Sequence, residues 1–323
     1  MEDLTNRMDC TAFSAKIEEL KAQIAQIIVG QQQGVDLILT SLLANGHVLI
    51  EGVPGVAKTL MAKLTAKLID AAYSRIQFTP DLMPSDVLGT SVFNLKINDF
   101  EFKKGPIFSE VVLIDEINRA PAKTQAALFE VMEERQITID GTSRKMSDLY
   151  IVIATQNPIE QEGTYRLPEA QLDRFLMKIT ISYPSPDEEL TILKRHHENS
   201  GLTCLDEVRP ILTKDDILQF KQLINRIIVD NSLLQYISDI IIATRNSAAI
   251  YLGASPRASV ALLNSSKAYA LLQGRDFVIP DDIKYLAVPV LQHRITLSPE
   301  TEMEGKSAAT VVRRLADNIA VPK

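Results

Sequence analysis

The chain has 323 residues, and its 34 lysines and arginines against 41 aspartates and glutamates give a formal net charge of -7. Its 46% hydrophobic and 23% charged residues are typical of a globular protein, and the length is sufficient for about two domains. The acidic balance, an aromatic content of 6% and the absence of tryptophan disfavour a nucleic-acid-binding protein, and two cysteines argue against a disulfide scaffold.

No stretch of the sequence reaches the ~18 consecutive apolar residues that a membrane span requires. The richest apolar stretch, around residues 237–243, is interrupted by Ser238 and Asp239. Residues 1–15 include three acidic side chains and lack the apolar core of a signal peptide. These patterns predict a cytoplasmic protein.

The first ~180 residues alternate between helical and extended patterns. Apolar residues at spacings of three and four predict helices at 13–29, 35–44, 59–69 and 123–134. Short runs rich in Val, Ile and Leu predict strands at 47–50, 75–78, 111–114, 150–154 and 176–181. Nearly continuous apolar runs are typical of strands that are buried on both faces of a parallel sheet. The alternation therefore predicts a doubly wound α/β domain.

Two hairpin-like segments interrupt this alternation. In residues 91–103, two extended runs flank Asn98 and Asp99, and residues 136–147 contain the strong turn pair Asp140 and Gly141. We expect both hairpins to project from the sheet.

The sequence YPSP at residues 183–186 marks a change of pattern. Beyond it the periodicity is helical, at 188–197, 214–228, 231–248, 256–272 and 280–290. Pro280 is followed by two aspartates, which is a favourable helix start. The sequence therefore predicts an α/β domain at 1–184 and an all-α domain at 185–323.

Residues 52–59, GVPGVAKT, lie between the first predicted strand and a helix, in the order of a phosphate-binding loop. Backbone N–H groups, the helix N-terminus and the Lys58 ammonium would attract a polyphosphate, and the Thr59 hydroxyl could bind Mg²⁺. Ala57 replaces the glycine that precedes lysine in the general pattern, and we expect it to be helical. Taken alone, these eight residues could also be a flexible strand-to-helix turn.

Asp115 and Glu116 follow the apolar run at 111–114. Two carboxylates at the end of a buried strand are costly unless a positive group lies there. Asp115 could hold Mg²⁺, directly or through water, and Glu116 could polarise the water that attacks a γ-phosphate. Solvated turn acids are the alternative for this pair alone, but a phosphate loop about 57 residues upstream favours ATP hydrolysis.

Three further residues become candidates in this context. Asn157 follows the fourth predicted strand and could orient the attacking water, although asparagine before proline is also a turn residue. Arg174 precedes the fifth strand and Arg257 begins a later helix. Each arginine is more often a surface ion-pair residue, so their assignment depends on the other motifs.

Five motifs together resemble those of the MoxR-type AAA+ ATPases: GVPGVAKT (52–59), VVLIDEINRA (111–120), ATQNP (154–158), LPEAQLDRF (167–175) and GASPRAS (253–259). The resemblance covers nearly the whole chain and includes Ala57. It implies an α/β P-loop AAA+ core, with a parallel sheet flanked by helices, followed by an all-α lid. Residues 91–103 resemble the helix-2 insert and residues 136–147 the pre-sensor hairpin.

The resemblance also implies a site for ATP and Mg²⁺. Thr59 and Asp115 match the metal-binding residues, and residues 28–31 resemble the segment that lies near the adenine. The residues implied to contact the nucleotide are Gly30, Gln31, Gly52, Pro54, Gly55, Val56, Ala57, Lys58, Thr59, Leu60 and Asp115.

Four residues match catalytic positions of the family. Glu116 corresponds to the catalytic acid of the second motif and Asn157 to sensor 1. Arg174 corresponds to the arginine finger, which reaches the nucleotide of a neighbouring subunit. Arg257 corresponds to sensor 2, which we expect to reach the nucleotide of its own subunit.

The resemblance implies a chaperone-like motor that couples ATP hydrolysis to remodelling or maturation of a partner complex, including metal loading. It implies a homo-oligomeric ring, expected to be a hexamer, and a partner with a von Willebrand factor A-type domain; the client is not specified by the sequence. The alternatives are a magnesium-chelatase-like motor subunit, a nucleic-acid-stimulated motor and a nucleotide switch without turnover. The charge of -7 disfavours the nucleic-acid motor, and the presence of Glu116 and Arg174 disfavours the switch.

Overall fold

The computed structural model describes residues 11–158, 165, 167–198 and 208–322. Its strands are β1 (Val48–Gly52), β2 (Tyr73–Gln77), β3 (Gly89–Asn94), β4 (Asp99–Lys104), β5 (Val111–Asp115), β6 (Gln136–Ile139), β7 (Thr142–Lys145), β8 (Ile151–Gln156), β9 (Met177–Ile181), β10 (Ile250–Leu252) and β11 (Thr296–Leu297). Both cysteines and residues 1–10, most of the segment considered for a signal peptide, lie outside the described residues.

The described helices pack around one central sheet and make up most of the C-terminal half of the chain. They are α1 (Thr11–Ile27), α2 (Gln32–Leu43), α3 (Lys58–Leu68), α4 (Pro84–Leu88), α5 (Ala122–Glu134), α6 (Glu169–Leu172), α7 (Pro186–Glu198), α8 (Lys214–Ile224), α9 (Asn231–Asn246), α10 (Pro256–Leu272), α11 (Pro280–Leu291), α12 (Pro299–Met303) and α13 (Ala308–Asn318). None of these described helices is long and apolar enough to cross a membrane.

The central sheet is parallel, with the strand order β2-β5-β8-β1-β9, and it confirms the five predicted strands to within a few residues. Both faces are buried, as their apolar runs predicted. In β5, Val111 and Leu113 belong to one apolar core, while Val112 and Ile114 belong to the other. All five strands run the same way, so their carboxyl ends form one edge of the sheet.

Both predicted hairpins are present, β3–β4 and β6–β7, and they touch each other. The Ser91 hydroxyl donates a hydrogen bond to the Asp140 carboxylate, and the Arg144 guanidinium lies 4.1 Å from the centroid of the Phe102 ring. The two insertions therefore form a single surface rather than two separate projections.

The C-terminal half is helical, as predicted, and it also contains one short pair of strands. Strands β10 and β11 form a two-stranded antiparallel ribbon, which is too short to give a periodic signal. Helix α8 ends at Ile224 rather than at 228, because Ile228 pairs with Phe277 in an isolated β-bridge. The sequence also did not predict α12 and α13.

One apolar core joins the N-terminal helices, one face of the sheet and the C-terminal helices. Leu20, Ile38, Leu262 and Leu286 are fully buried members of this core. The other face of the sheet is covered by α5, through Leu128 among others. The first core contains residues from both sides of position 184, so it does not mark a domain boundary there. The boundary placed at 184 therefore stays a prediction.

Candidate active site

The phosphate-binding loop begins at the end of β1 and ends where α3 begins, at Lys58. Gly55 has φ +87°, a left-handed value that favours glycine, and a Cβ there would find nothing within 4 Å. The Lys58 ammonium donates a hydrogen bond to the Gly52 carbonyl at 2.5 Å, so it lies over the loop. This open loop with a cation above it fits a polyphosphate.

Ala57 is not helical, contrary to the expectation from the sequence. It has φ 60° and ψ 20°, the left-handed conformation, and forms the N-cap of α3. An L-residue in this conformation costs roughly 1–2 kcal/mol, whereas glycine adopts it without that penalty. The general preference for glycine before the lysine therefore has a backbone cause, and Ala57 carries the strain.

Asp115 ends β5 with its side chain 10% exposed. Its Oδ2 accepts a hydrogen bond from Arg75 Nε at 2.6 Å, and its Oδ1 accepts one from the Thr155 hydroxyl at 3.0 Å. The requirement for a positive group beside the carboxylates is thus met by Arg75. The sequence does not indicate this residue, because it lies in a predicted strand and belongs to no motif.

Glu116 has φ 58°, which is also left-handed, and its backbone N–H donates to the Thr155 hydroxyl at 3.1 Å. Its carboxylate Oε2 accepts from Gln77 Nε2 at 3.0 Å and from Arg119 Nε at 3.0 Å. Because both donors converge on Oε2, the second oxygen, Oε1, is the one placed to accept a proton from water. Gln77 lies outside the sequence motifs, and Arg119 lies within VVLIDEINRA but was assigned no role from the sequence.

Asn157 is buried, 8% exposed, and directly follows β8. Strand β8 lies between β5 and β1, and Gln156 is level with Glu51 at the start of the phosphate loop. The strand order therefore brings Asn157 between the carboxylates and the loop.

Gly30 and Gln31 lie between α1 and α2, and Gly30 has φ +78°. Gln31 Nε2 donates to the Ser182 carbonyl at 3.4 Å, just past Ile181, which is level with Gly52. A cavity of about 730 Å³ adjoins this segment and is lined by Gln31, Ile181 and Tyr285, among others. Its lining also includes Ser182, which directly follows the carboxyl end of β9.

The two candidate arginines lie at the opposite edge of the sheet. Met177, three residues after Arg174, is level with Val48 at the amino end of β1. Four strand steps, or ~13 Å, separate that level from Ile181 beside the phosphate loop. Arg174 therefore does not reach the phosphate loop of its own chain.

Arg257 lies beside Arg174, and this differs from the expectation that it reaches its own subunit's nucleotide. Arg257 Nη2 is 3.1 Å from Oε1 of Glu133, and Glu133 also forms an ion pair with Arg174. The physical reason is the docking of α10, whose N-cap Ser255 donates to the Asp173 carboxylate at 3.5 Å. The start of α10 therefore packs beside the segment that precedes β9, away from the phosphate loop.

Arg294 fixes that segment, although no motif indicated it. Its side chain is 4% exposed, and its Nε lies 2.7 Å from Asp173 Oδ1. It also donates to the carbonyls of Phe175, at 2.7 Å, and Leu176, at 2.9 Å. A buried guanidinium from the C-terminal half thus holds the backbone on either side of Arg174.

Two family models match the chain. The model of the ATPase family associated with various cellular activities (AAA) matches residues 47–177, which include the phosphate loop, the two carboxylates and Arg174. The model of the AAA lid domain matches residues 242–315, which include Arg257 and Arg294.

Curated relatives and a solved structure cover most of the chain. The uncharacterized protein YeaC of Bacillus subtilis is 48% identical over 93% of this chain and 92% of its own, and the chaperone MoxR1 of Mycobacterium tuberculosis is 42% identical over 95% and 82%. A crystal structure of a proposed ATPase from Cytophaga hutchinsonii superposes with a TM-score of 0.89, at 41% identity and over 98% of this chain and 97% of that one. A magnesium-chelatase subunit ChlI homolog of Methanocaldococcus jannaschii is a more distant match, 26% identical over 58% of this chain and 51% of its own.

Proposed function

The chain belongs to the MoxR-type AAA+ ATPases, and from this premise we propose that it hydrolyses ATP and couples hydrolysis to remodelling of a partner protein. The observation that carries the proposal is that the candidate residues lie at two opposite edges of the sheet. Lys58, Asp115, Glu116 and Asn157 lie at one edge of the sheet, and Arg174 lies at the other.

The phosphates of ATP are held by the loop at 52–59 and by the Lys58 ammonium, which exchanges the Gly52 carbonyl for phosphate oxygens. Mg²⁺, when bound, would neutralise charge on the phosphates, and the Thr59 hydroxyl and the Asp115 carboxylate would hold it, directly or through water. The adenosine fits the cavity beside Gln31.

Glu116 accepts the proton of the attacking water, and Gln77 and Arg119 orient its carboxylate through Oε2. The buried amide of Asn157 orients the same water. Thr155 links the Asp115 carboxylate to the Glu116 backbone, because its hydroxyl donates to Asp115 and accepts from the Glu116 N–H.

A second copy of the chain completes the site. Arg174 and Arg257 are remote from their own phosphate loop, so we assign both to the nucleotide of a neighbouring subunit. Each subunit then presents a phosphate loop to one neighbour and arginines to the other. Such head-to-tail contacts close into a ring, for which we propose a hexamer.

The hairpin surface formed by β3–β4 and β6–β7 is our candidate for contact with the client. Its exposed apolar side chains include Phe93 (45% exposed), Leu95 (85%), Ile97 (61%) and Phe100 (68%). An apolar cluster of this kind on a protein surface is typical of an interaction site. A partner with a von Willebrand factor A-type domain, metal loading and a cytoplasmic location stay part of the proposal.

The first experiment compares the ATPase activity of the wild type with that of Lys58→Ala and Glu116→Gln, and uses the Glu116→Gln protein to capture partners. Lys58→Ala should lose ATP binding, whereas Glu116→Gln should retain it. Equal ATP affinity of Lys58→Ala and the wild type would refute the phosphate-loop assignment. Stimulation of the ATPase by DNA would favour the nucleic-acid motor instead.

The hairpin surface is tested separately by Leu95→Ser, which changes its most exposed apolar side chain. We expect basal ATPase to be retained and the response to a captured partner to be reduced. Leu190→Ser, at a half-exposed leucine of α7, is the matched control. An unchanged partner response for Leu95→Ser would exclude this surface as the client contact.

A further inference from the structure

One carboxylate, that of Glu133, binds both arginines. Glu133 lies in the last turn of α5. Its Oε1 is 3.1 Å from Arg257 Nη2, and its Oε2 forms an ion pair with Arg174 Nη1, which also donates to the Phe129 carbonyl at 2.8 Å. Two guanidiniums from distant parts of the sequence are thus held side by side.

Stability alone does not account for this arrangement. The side chains of Arg174, Arg257 and Glu133 are 30%, 66% and 34% exposed, and ion pairs with such exposure contribute only ~0–1 kcal/mol. Two guanidiniums on one carboxylate also leave a net charge of +1 and bring like charges together. Glu130 and Glu134 also line the cavity beside Arg174, so the feature suited to a polyanion from another subunit is the paired N–H donors of two adjacent guanidiniums rather than net charge.

We propose that Glu133 is a positioning residue that holds Arg174 and Arg257 as one pair facing the nucleotide of the neighbouring subunit. This inference rests on the function proposed above. Arg174 uses Nη1 for Glu133 and Phe129, and Arg257 uses Nη2 for Glu133, which leaves other N–H groups of both guanidiniums for the phosphate oxygens. Glu133 acts through the arginines and does not itself touch ATP.

The pair also gives the lid a route to the neighbouring site. Arg174 belongs to the segment before β9, whereas Arg257 belongs to the first turn of α10. Because Glu133 ties the two together, a displacement of α10 changes the geometry of both guanidiniums. Glu133 therefore transmits regulation of hydrolysis in one subunit by the lid of the next, in parallel with the Ser255–Asp173 and Arg294–Asp173 contacts.

Steady-state ATPase kinetics at ring-forming concentrations test this proposal. Glu133→Gln removes the charge that holds two guanidiniums, so kcat should fall about tenfold while KM for ATP changes less than about twofold. Glu133→Asp, which keeps the charge on a shorter side chain, should recover part of kcat. The control Glu18→Gln, which removes one exposed carboxylate from α1, should match the wild type.

Combining Glu133→Gln with arginine variants distinguishes a positioning role of Glu133 from a general structural role. In a background that carries both Arg174→Ala and Arg257→Ala, Glu133→Gln should cause little further loss of kcat, because both of its partners are already absent. Ring assembly and thermal unfolding, measured on the same variants, report whether Glu133→Gln is folded and assembled. A further tenfold loss in the background that lacks both arginines would overturn the proposal.

Two other outcomes are also decisive. If Arg174→Ala is inactive and Glu133→Gln has the kcat of the wild type or a higher one, the proposal for Glu133 is wrong and the proposed function stands. If Arg174→Ala turns over ATP normally, the arginine finger itself is wrong, and the proposal for Glu133 is overturned with it.

Discussion

The side-chain amide of Gln77 donates a hydrogen bond to the carboxylate of Glu116 at 3.0 Å, from the neighbouring strand of the sheet. Arg119 reaches the same oxygen, also at 3.0 Å. The base proposed for ATP hydrolysis is therefore oriented by two donors before any water binds.

Glu116→Gln should retain ATP and lose at least about a hundredfold in kcat, because an amide cannot accept the proton of the water.

Gln77→Ala should retain ATP binding and lose about tenfold in kcat, since one of two hydrogen bonds that orient Glu116 is removed. Equilibrium binding of ATP and steady-state turnover measure the two effects. Near-normal hydrolysis by Glu116→Gln would remove it from the mechanism, and a kcat of Gln77→Ala above the wild type would mean that Gln77 restrains Glu116.

Ala57→Gly should stabilise the chain by ~0.5–1 kcal/mol, because glycine adopts φ 60° without the penalty that alanine carries. Ala22→Gly, at an exposed position in the middle of α1, should instead destabilise it by about 1 kcal/mol. Urea-induced unfolding of both variants gives the comparison. The same loss of stability in both would contradict the left-handed conformation of Ala57.

His47 should make the fold sensitive to acid. Burial, together with the nearby Arg135 charge, lowers the pKa of His47 from 6.5 to about 3. The Val152 backbone N–H donates to Nδ1 at 3.0 Å, and Nε2 lies 3.1 Å from the Met132 carbonyl, so the neutral ring with a proton on Nε2 is the form that fits. Protonation of Nδ1 would break the first bond.

The direction in which folding stability changes with pH follows from proton binding to His47. Between pH 6.5 and about 3 the unfolded state takes up a proton on His47 and the folded state does not, so stability falls as the pH is lowered, by up to ~1.4 kcal/mol per pH unit. His47→Gln should reduce this slope, whereas His196→Gln, at an exposed position of α7, should not. An equal slope for His47→Gln and the wild type would contradict the neutral buried ring.

Much of this architecture follows from local patterns. Continuous Val, Ile and Leu runs predict strands buried on both faces, and Asp140 with Gly141 predicts a hairpin turn, because both effects depend on neighbouring residues. The phosphate loop and the carboxylates are equally local, since each is defined by residue types at fixed spacing.

The remaining features depend on long-range packing. Arg75 and Gln77 reach the two carboxylates only because β2 lies beside β5, and no local pattern specifies that order. Arg257 lies beside Arg174 because α10 and the buried Arg294 dock against the segment before β9. The left-handed conformation of Ala57 similarly arises from the turn between β1 and α3.

In the proposed mechanism, the arginines of one subunit contact the nucleotide that is bound by the phosphate loop of the next subunit. Arg174→Ala should assemble and bind ATP yet hydrolyse it ~10³ to 10⁵ times more slowly if it is an arginine finger. Lys58→Ala should fold and fail to bind ATP. In a mixture, an Arg174→Ala subunit binds ATP through its intact Lys58, and a Lys58→Ala neighbour supplies an intact Arg174.

The most direct measurement is the ATPase activity of a mixture of these two inactive proteins, with subunit exchange followed by a label on each. We predict that activity returns partially as mixed rings form, and that the wild-type rate rises faster than linearly with protein concentration. Confirmed exchange without any return of activity would contradict the account and leave Arg174 as one of the two ion-pair partners of Glu133.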